Sequence, residues 1–159
     1  LIGRAGIDES NAGGYFILYP KNPMKSAEIL RAWFQKTYRV KNIGVIITDS
    51  RSIPLRKGAI GFALAWAGVE PLKDYRKTKD IFSRTFKIEI ANIIDSLAVA
   101  AVLVMGEGNE QTPVAVIRDA PVVFTDKKRP QERMVKVALH HDLFRHFLLK
   151  REWKKGGRG

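Results

Sequence analysis

Ile43-Gly-Val-Ile-Ile-Thr48, followed by Asp49, is an almost unbroken apolar run of strand length, the pattern of a strand buried on both faces. Ala59-Ile-Gly-Phe-Ala-Leu-Ala-Trp-Ala67 alternates Ile60, Phe62, Leu64 and Trp66 with small residues at period two, which favours a second strand, although its alanines also suit a helix. Gly68 ends it. Between the two, residues 50–58 carry Ser, Arg, Pro and Gly and read as a loop. Upstream, Ile29, Leu30, Trp33 and Phe34 recur at helical spacing over residues 24–37, an apolar stripe expected to enter the core. Asn22-Pro23 supplies a cap and a first-turn proline for that helix. Gly14-Tyr-Phe-Ile-Leu-Tyr19 reads as a further strand.

Downstream, residues 69–85 form a long polar connection, after which Phe86, Ile88 and Ile90 alternate briefly. Good helix formers fill the stretch from Asn92 to Met105, and Gly106 stops it. Pro113-Val-Ala-Val-Ile117 reads as a strand and residues 130–153 as a final helix. Strands and helices mix without the regular alternation of a doubly wound sheet. The expected class is therefore α+β, a mixed sheet with packed helices.

A chain of 159 residues is long enough for one ordinary domain. Its 45% apolar and 28% charged residues exclude disordered and collagen-like classes. No apolar run approaches the roughly 18–20 residues of a membrane-spanning helix, and residues 1–20 do not read as a secretory signal. The absence of Cys excludes disulfides, thiolate metal sites and a Cys nucleophile, and fits a reducing, cytoplasmic setting. The net charge of +12 is uneven, because residues 127–159 hold eleven Lys or Arg against three acidic residues, a net of +8. Such an end attracts polyanions or is simply solvated. No basic motif interleaved with aromatics supports a nucleic-acid-binding domain, which stays as a non-catalytic alternative. The expected division is a catalytic core over 1–125 and a basic helix and tail over 126–159.

Phosphate loops, dinucleotide fingerprints, zinc-protease motifs and nucleophile elbows are all missing from the sequence. The three His, at 140, 141 and 146, crowd the basic helix, where adjacent His140 and His141 would point to different faces and share no metal. Acidic residues at segment ends remain: Asp8 in a glycine-containing turn, Asp49 after the buried strand with the Ser50 hydroxyl beside it, and Glu107 between glycines. Hard divalent cations prefer such oxygen ligands and leave positions for nucleotide phosphates. Taken singly, each of these acids also suits a cap or turn.

Ala5-Gly-Ile-Asp-Glu-Ser-Asn11, Val45-Ile-Ile-Thr-Asp-Ser50, Ala67-Gly-Val-Glu-Pro-Leu-Lys-Asp-Tyr-Arg76, and Val104-Met-Gly-Glu107 followed by Pro113-Val-Ala-Val-Ile117 occur in that order. Together they resemble the coenzyme F-420-0:L-glutamate ligase family, also called the F-420-0 gamma-glutamyl ligases. The resemblance implies the family's α+β, gamma-glutamyl ligase-like fold, a homodimer with the site near its interface, and GTP with Mg2+ or Mn2+ joining L-glutamate to an anionic carboxylate acceptor through an acyl phosphate. It makes Asp8, Asp49, Ser50 and Glu107 metal ligands. Asn11 and the segment Met105, Gly106, Glu107, Gly108, Asn109, Glu110, Gln111, Thr112 become nucleotide contacts. Arg51, Arg56 and Arg76 are candidates to hold anionic substrate, or are surface cations. The family carries further sequence before its first motif, so the resemblance implies a C-terminal portion and a possible separately encoded N-terminal partner. Arg4 and Arg51-Ser-Ile53 depart from the family pattern, which leaves a folate-like or other acceptor as the alternative to a coenzyme F-420 precursor.

Overall fold

The computed structural model describes residues 7–127 and 132–150. Strands β3 (Val45–Ser52) and β4 (Ala59–Ala67) form an antiparallel hairpin, with Val45 opposite Ala67 and Ser52 opposite Ala59. A bulge between Ile47 and Thr48 shifts the register. Helix α1 (Pro23–Tyr38) lies on the face bearing Val45, Ile47, Ala65 and Ala67, where fully buried Ala27 is the point of closest packing. The opposite face carries Ile46 and Trp66 and packs on Ile94 of helix α2 (Ile93–Met105). Both helices are capped as their sequences require. Asn22 Oδ1 accepts from Lys25 N at 3.0 Å, and Asn92 Oδ1 accepts from Asp95 N at 3.1 Å.

Two short ribbons flank this unit. Strands β1 (Ile7–Asp8) and β2 (Ile17–Leu18) pair antiparallel with Asp8 opposite Ile17. Strands β5 (Leu72–Asp74) and β6 (Ile90–Asn92) pair with Leu72 opposite Asn92, so the expected polar connection is largely an antiparallel excursion that delivers the chain to α2. The fold is α+β.

Several expectations are corrected. Among the described residues the sheets are three separate two-stranded antiparallel pairs, not one mixed sheet, because helices occupy both faces of the central hairpin and the ribbons pair only with themselves. β3 runs through Asp49 to Ser52, half-buried as far as Arg51 and exposed at Ser52, since no further strand joins its outer edge among the described residues. Ile29, Leu30 and Trp33 are exposed rather than core. On this face β4 offers α1 only Ala65 and Ala67, so the helix approaches on Ala27, and Trp33, Phe34 and Tyr38 pack on one another with ring centroids 5.1–6.2 Å apart. The strand expected over 14–19 is reduced to Ile17–Leu18, and residues 113–117 form none. The expected final helix is broken into α3 (Glu132–Val135), a 3-10 turn at Leu139–His141 and α4 (Arg145–Leu149), with residues 130, 131 and 151–153 outside the described residues. That break brings the His140 and His141 rings to 4.2 Å instead of opposite faces.

Two glycines permit the layering. A Cβ on Gly68, which sits at φ +85°, would stand 2.5 Å from the Ile43 carbonyl oxygen. One on Gly61 would lie 2.6 Å from the backbone oxygen of Ala98 in α2. Gly61→Ala must therefore push α2 off the hairpin, at an expected cost of about 1–3 kcal/mol. A urea unfolding midpoint equal to that of the parent would contradict this packing.

Candidate active site

The site is assembled from the first turn, the hairpin beyond its bulge and the loop after α2. Asp8 sits in a tight turn in which its Oδ1 accepts from Glu9 N at 2.7 Å and Ser10 N at 3.0 Å, with the Ser10 hydroxyl donating to the same carboxylate. Asn11 follows in the left-handed region at φ 54°, a conformation asparagine tolerates better than most residues. From there its Nδ2 donates to the carbonyl of Gly108 at 2.9 Å, across 97 positions of sequence. The two segments assigned to the nucleotide thus meet directly.

The loop after α2 is internally braced. Gly106 N donates to Val102 O at 2.9 Å and ends the helix. Thr112 Oγ1 donates to the Met105 carbonyl at 2.9 Å, and Gly108 N donates to Glu110 Oε2 at 2.8 Å. Glu107, Gly108, Asn109, Glu110, Gln111 and Thr112 are exposed, while Met105 and Gly106 are half-buried.

Tyr19, the residue just after β2, brings the first turn to the hairpin. Its hydroxyl donates to Asp49 Oδ2. Burial first, then the hydrogen bond to Asp49 and the charges of Asp49 and Asp8, push the phenol from 10.0 up to about 12. Both aspartates are therefore felt at one hydroxyl. Strand alternation sends Ser50 the other way, with its cross-strand partner Gly61 toward α2. No group of three acidic or histidine side chains among the described residues is close enough to share an ion, so Glu107 is not gathered with Asp8 and Asp49. Two carboxylates suit a cation of the magnesium class that takes its other ligands from water and substrate phosphate, rather than an all-protein cage.

Sequence reading missed Tyr19 and Asp95. In the sequence Tyr19 reads only as the end of a strand, yet a phenol just before a proline places a polar tip where the strand stops. Asp95 stands three residues after the Asn92 cap, the spacing of a reciprocal cap, and its Oδ2 accepts from Asn92 Nδ2 at 2.7 Å. Its Oδ1 accepts from Ala63 N at 2.9 Å, tying α2 to β4. Of the three candidate arginines, Arg76 is engaged by Asp74, with Nη2 2.6 Å from Oδ2. That fork holds the Asp74 carboxyl down at about 2.

A family model described as F420-0:Gamma-glutamyl ligase matches residues 1–119. The chain belongs to this family. The coenzyme F420:L-glutamate ligase of Methanococcus maripaludis strain S2 is 45% identical over 122 residues, covering 77% of this chain and 49% of the relative. The ligase of the same name from Methanocaldococcus jannaschii is 43% identical over 136 residues, covering 82% of this chain and 54% of its own. That from Halobacterium salinarum strain R1 is 39% identical, covering 72% of this chain and 44% of its own. The chain spans about half the length of the curated relatives it matches. No helix among the described residues is long and apolar enough to cross a membrane.

Because the folded pKa of Tyr19 lies above the unfolded value of 10.0, its contribution to stability is complete below pH 10 and is lost as pH rises toward about 12. Tyr19→Phe is expected to flatten that loss and to remove one late-ionising phenol from the absorbance titration. An unchanged titration at the alkaline end would place Tyr19 elsewhere.

Proposed function

We propose that this protein carries the metal- and nucleotide-binding part of a GTP-dependent ligase that forms an amide between L-glutamate and an anionic carboxylate acceptor, a coenzyme F-420 precursor. The observation that carries the reading is the hydrogen bond from Asn11 to Gly108, which closes the acidic first turn onto the glycine-bearing loop in a chain of this family. Family membership supports a glutamate ligase acting in coenzyme F-420 biosynthesis. The finer assignments extend that reading: a gamma-glutamyl ligase-like fold, a homodimer and a cytoplasmic location.

In the proposed reaction, an acceptor carboxylate oxygen attacks the γ-phosphorus of GTP, releasing GDP and leaving an acyl phosphate. The amine of L-glutamate, after losing a proton, then attacks the acyl carbon, forming the amide and expelling phosphate. Asp8 and Asp49 would hold a divalent cation, Mg2+ or Mn2+, with Glu107 joining them once nucleotide draws the loop inward, while the Ser50 hydroxyl, turned to the other face of β3, stays outside that set. The cation supplies charge neutralisation for the phosphates when bound. Asn11 and Met105–Thr112 would line the nucleotide. The chain's own contribution is positional: Tyr19 orients Asp49, and Asn11 sets how far the loop stands from the first turn.

Phosphate release from GTP with L-glutamate and a panel of deazaflavin and pterin carboxylates tests this, using the chain alone and supplemented with the unmatched half of the Methanococcus maripaludis relative. Release is expected to need all three substrates, and Asp49→Asn is expected to lower it about 100-fold or more, the scale seen when a group stabilising transferred charge is removed. Absence of release with every acceptor in the supplemented protein would defeat the ligase reading.

A further inference from the structure

Arg51 lies two residues beyond Asp49 on the same face of β3, so the two side chains emerge about 7 Å apart along the strand. Its guanidinium rests over the ring of Phe62, with Cζ 4.9 Å from the centroid, and Phe62 is itself buried. Reaching across β4, Nη2 comes to 3.8 Å from Asp95 Oδ2, too long for a hydrogen bond. Asp95 is already engaged by Ala63 N and Asn92 Nδ2. Arg51 Nε is buried and has no hydrogen-bond partner.

A guanidinium has five N–H donors directed in its own plane, and a buried donor left unpaired is costly. The Phe62 ring meets the cation but takes none of its N–H donors. Arg51 thus has only a loose ion pair with Asp95, and its Nε has no acceptor. Other arginines differ. Arg76 is locked to Asp74, Arg31 is spent on the Ile43 carbonyl and Asp126, and Arg56 stands exposed in the turn after β3. An anionic substrate approaching Asp8 and Asp49 would meet two negative charges, and Arg51 is a cation rooted on the same strand face as Asp49.

We propose that Arg51 is the anion-reading residue of this site, taking an oxyanion of the substrate, carboxylate or phosphoryl, in a planar fork beside Asp49. The proposal rests on the reading of the Asp49 face as the substrate face, not on ligase turnover. It is tested with the full chain labelled with 15N-arginine and titrated with glutarate and, separately, with inorganic phosphate. The Arg51 Nε–Hε signal, identified by its disappearance in Arg51→Lys, is expected to shift saturably with at least one of them. Saturation with glutarate alone assigns a carboxylate source, and saturation with phosphate alone a phosphoryl source.

Calorimetric affinity for the responding anion is expected to fall roughly 10- to 100-fold in Arg51→Gln. Arg51→Lys should recover only part of it, because an ammonium keeps the charge and loses the fork. A signal that moves with neither anion overturns the proposal. So does unchanged affinity in Arg51→Gln, including the case in which Arg51→Gln and Asp95→Asn both lower the melting temperature while anion binding persists, since Arg51 would then serve only the clamp between hairpin and helix. Saturable binding without phosphate release in the supplemented protein would leave this proposal standing and sink the ligase reading; the reverse result would do the opposite.

Discussion

The β3–β4 ladder must accept a helix on each face while having only two strands, and the remaining structure follows from how it does so. Two strands expose both faces and both edges, so isolated hairpins are marginal in water. Here Ala65 and Ala67 let α1 settle on Ala27, and Gly61 lets α2 come close enough that a single Cβ would strike its backbone. The small residues that look like weak strand formers set the spacing between layers. Trp66 and Ile94 then fill the second interface with large apolar volume.

The same layering positions the chemistry. α1 covers only the end of its face that carries Val45, Ile47, Ala65 and Ala67, and beyond the bulge that face continues as Asp49, Arg51, Ile60 and Phe62. α1 therefore covers only one half of its face, leaving Asp49 and Arg51 on the other half, while α2 on the opposite face runs on past the bulge to Gly61. Tyr19 and the first turn come in from one side. The loop after α2 comes in through Asn11. Asp95 clamps the N-terminus of α2 to the β4 backbone, so the direction of the helix, and with it the place where its C-terminal loop emerges, is referred to the strand pair that carries Asp49.

Local patterns were readable wherever one short-range rule dominated. Asn22-Pro23 and Asn92 are caps at the ends of helices that run to within a residue or two of the expected bounds, and Gly68 and Gly106 stand where elements stop. Patterns that depend on what lies opposite were not readable. The stripe of Ile29, Leu30 and Trp33 has helical period but lies on the side of α1 that the alanine face does not touch. Pro113–Ile117 has strand composition, yet strand formation needs a partner in register and none is supplied among the described residues. The continuous basic helix fails for a similar reason, since its apolar residues have little surface to bury against and break into short turns.

From the residues alone follow the α+β class, the two long helices with their caps, the two central strands and the family, because each rests on neighbours within a few positions or on motifs kept in order. Folding decided which candidates share a place: Asp49 with Tyr19, Asn11 with Gly108, and Arg51 with Phe62 and Asp95. It also separated Ser50 from Asp49 by the alternation of a single strand. Such pairings join positions tens of residues apart, and their distances depend on how closely two helices pack against one ladder, a quantity with no signature in any local stretch of sequence.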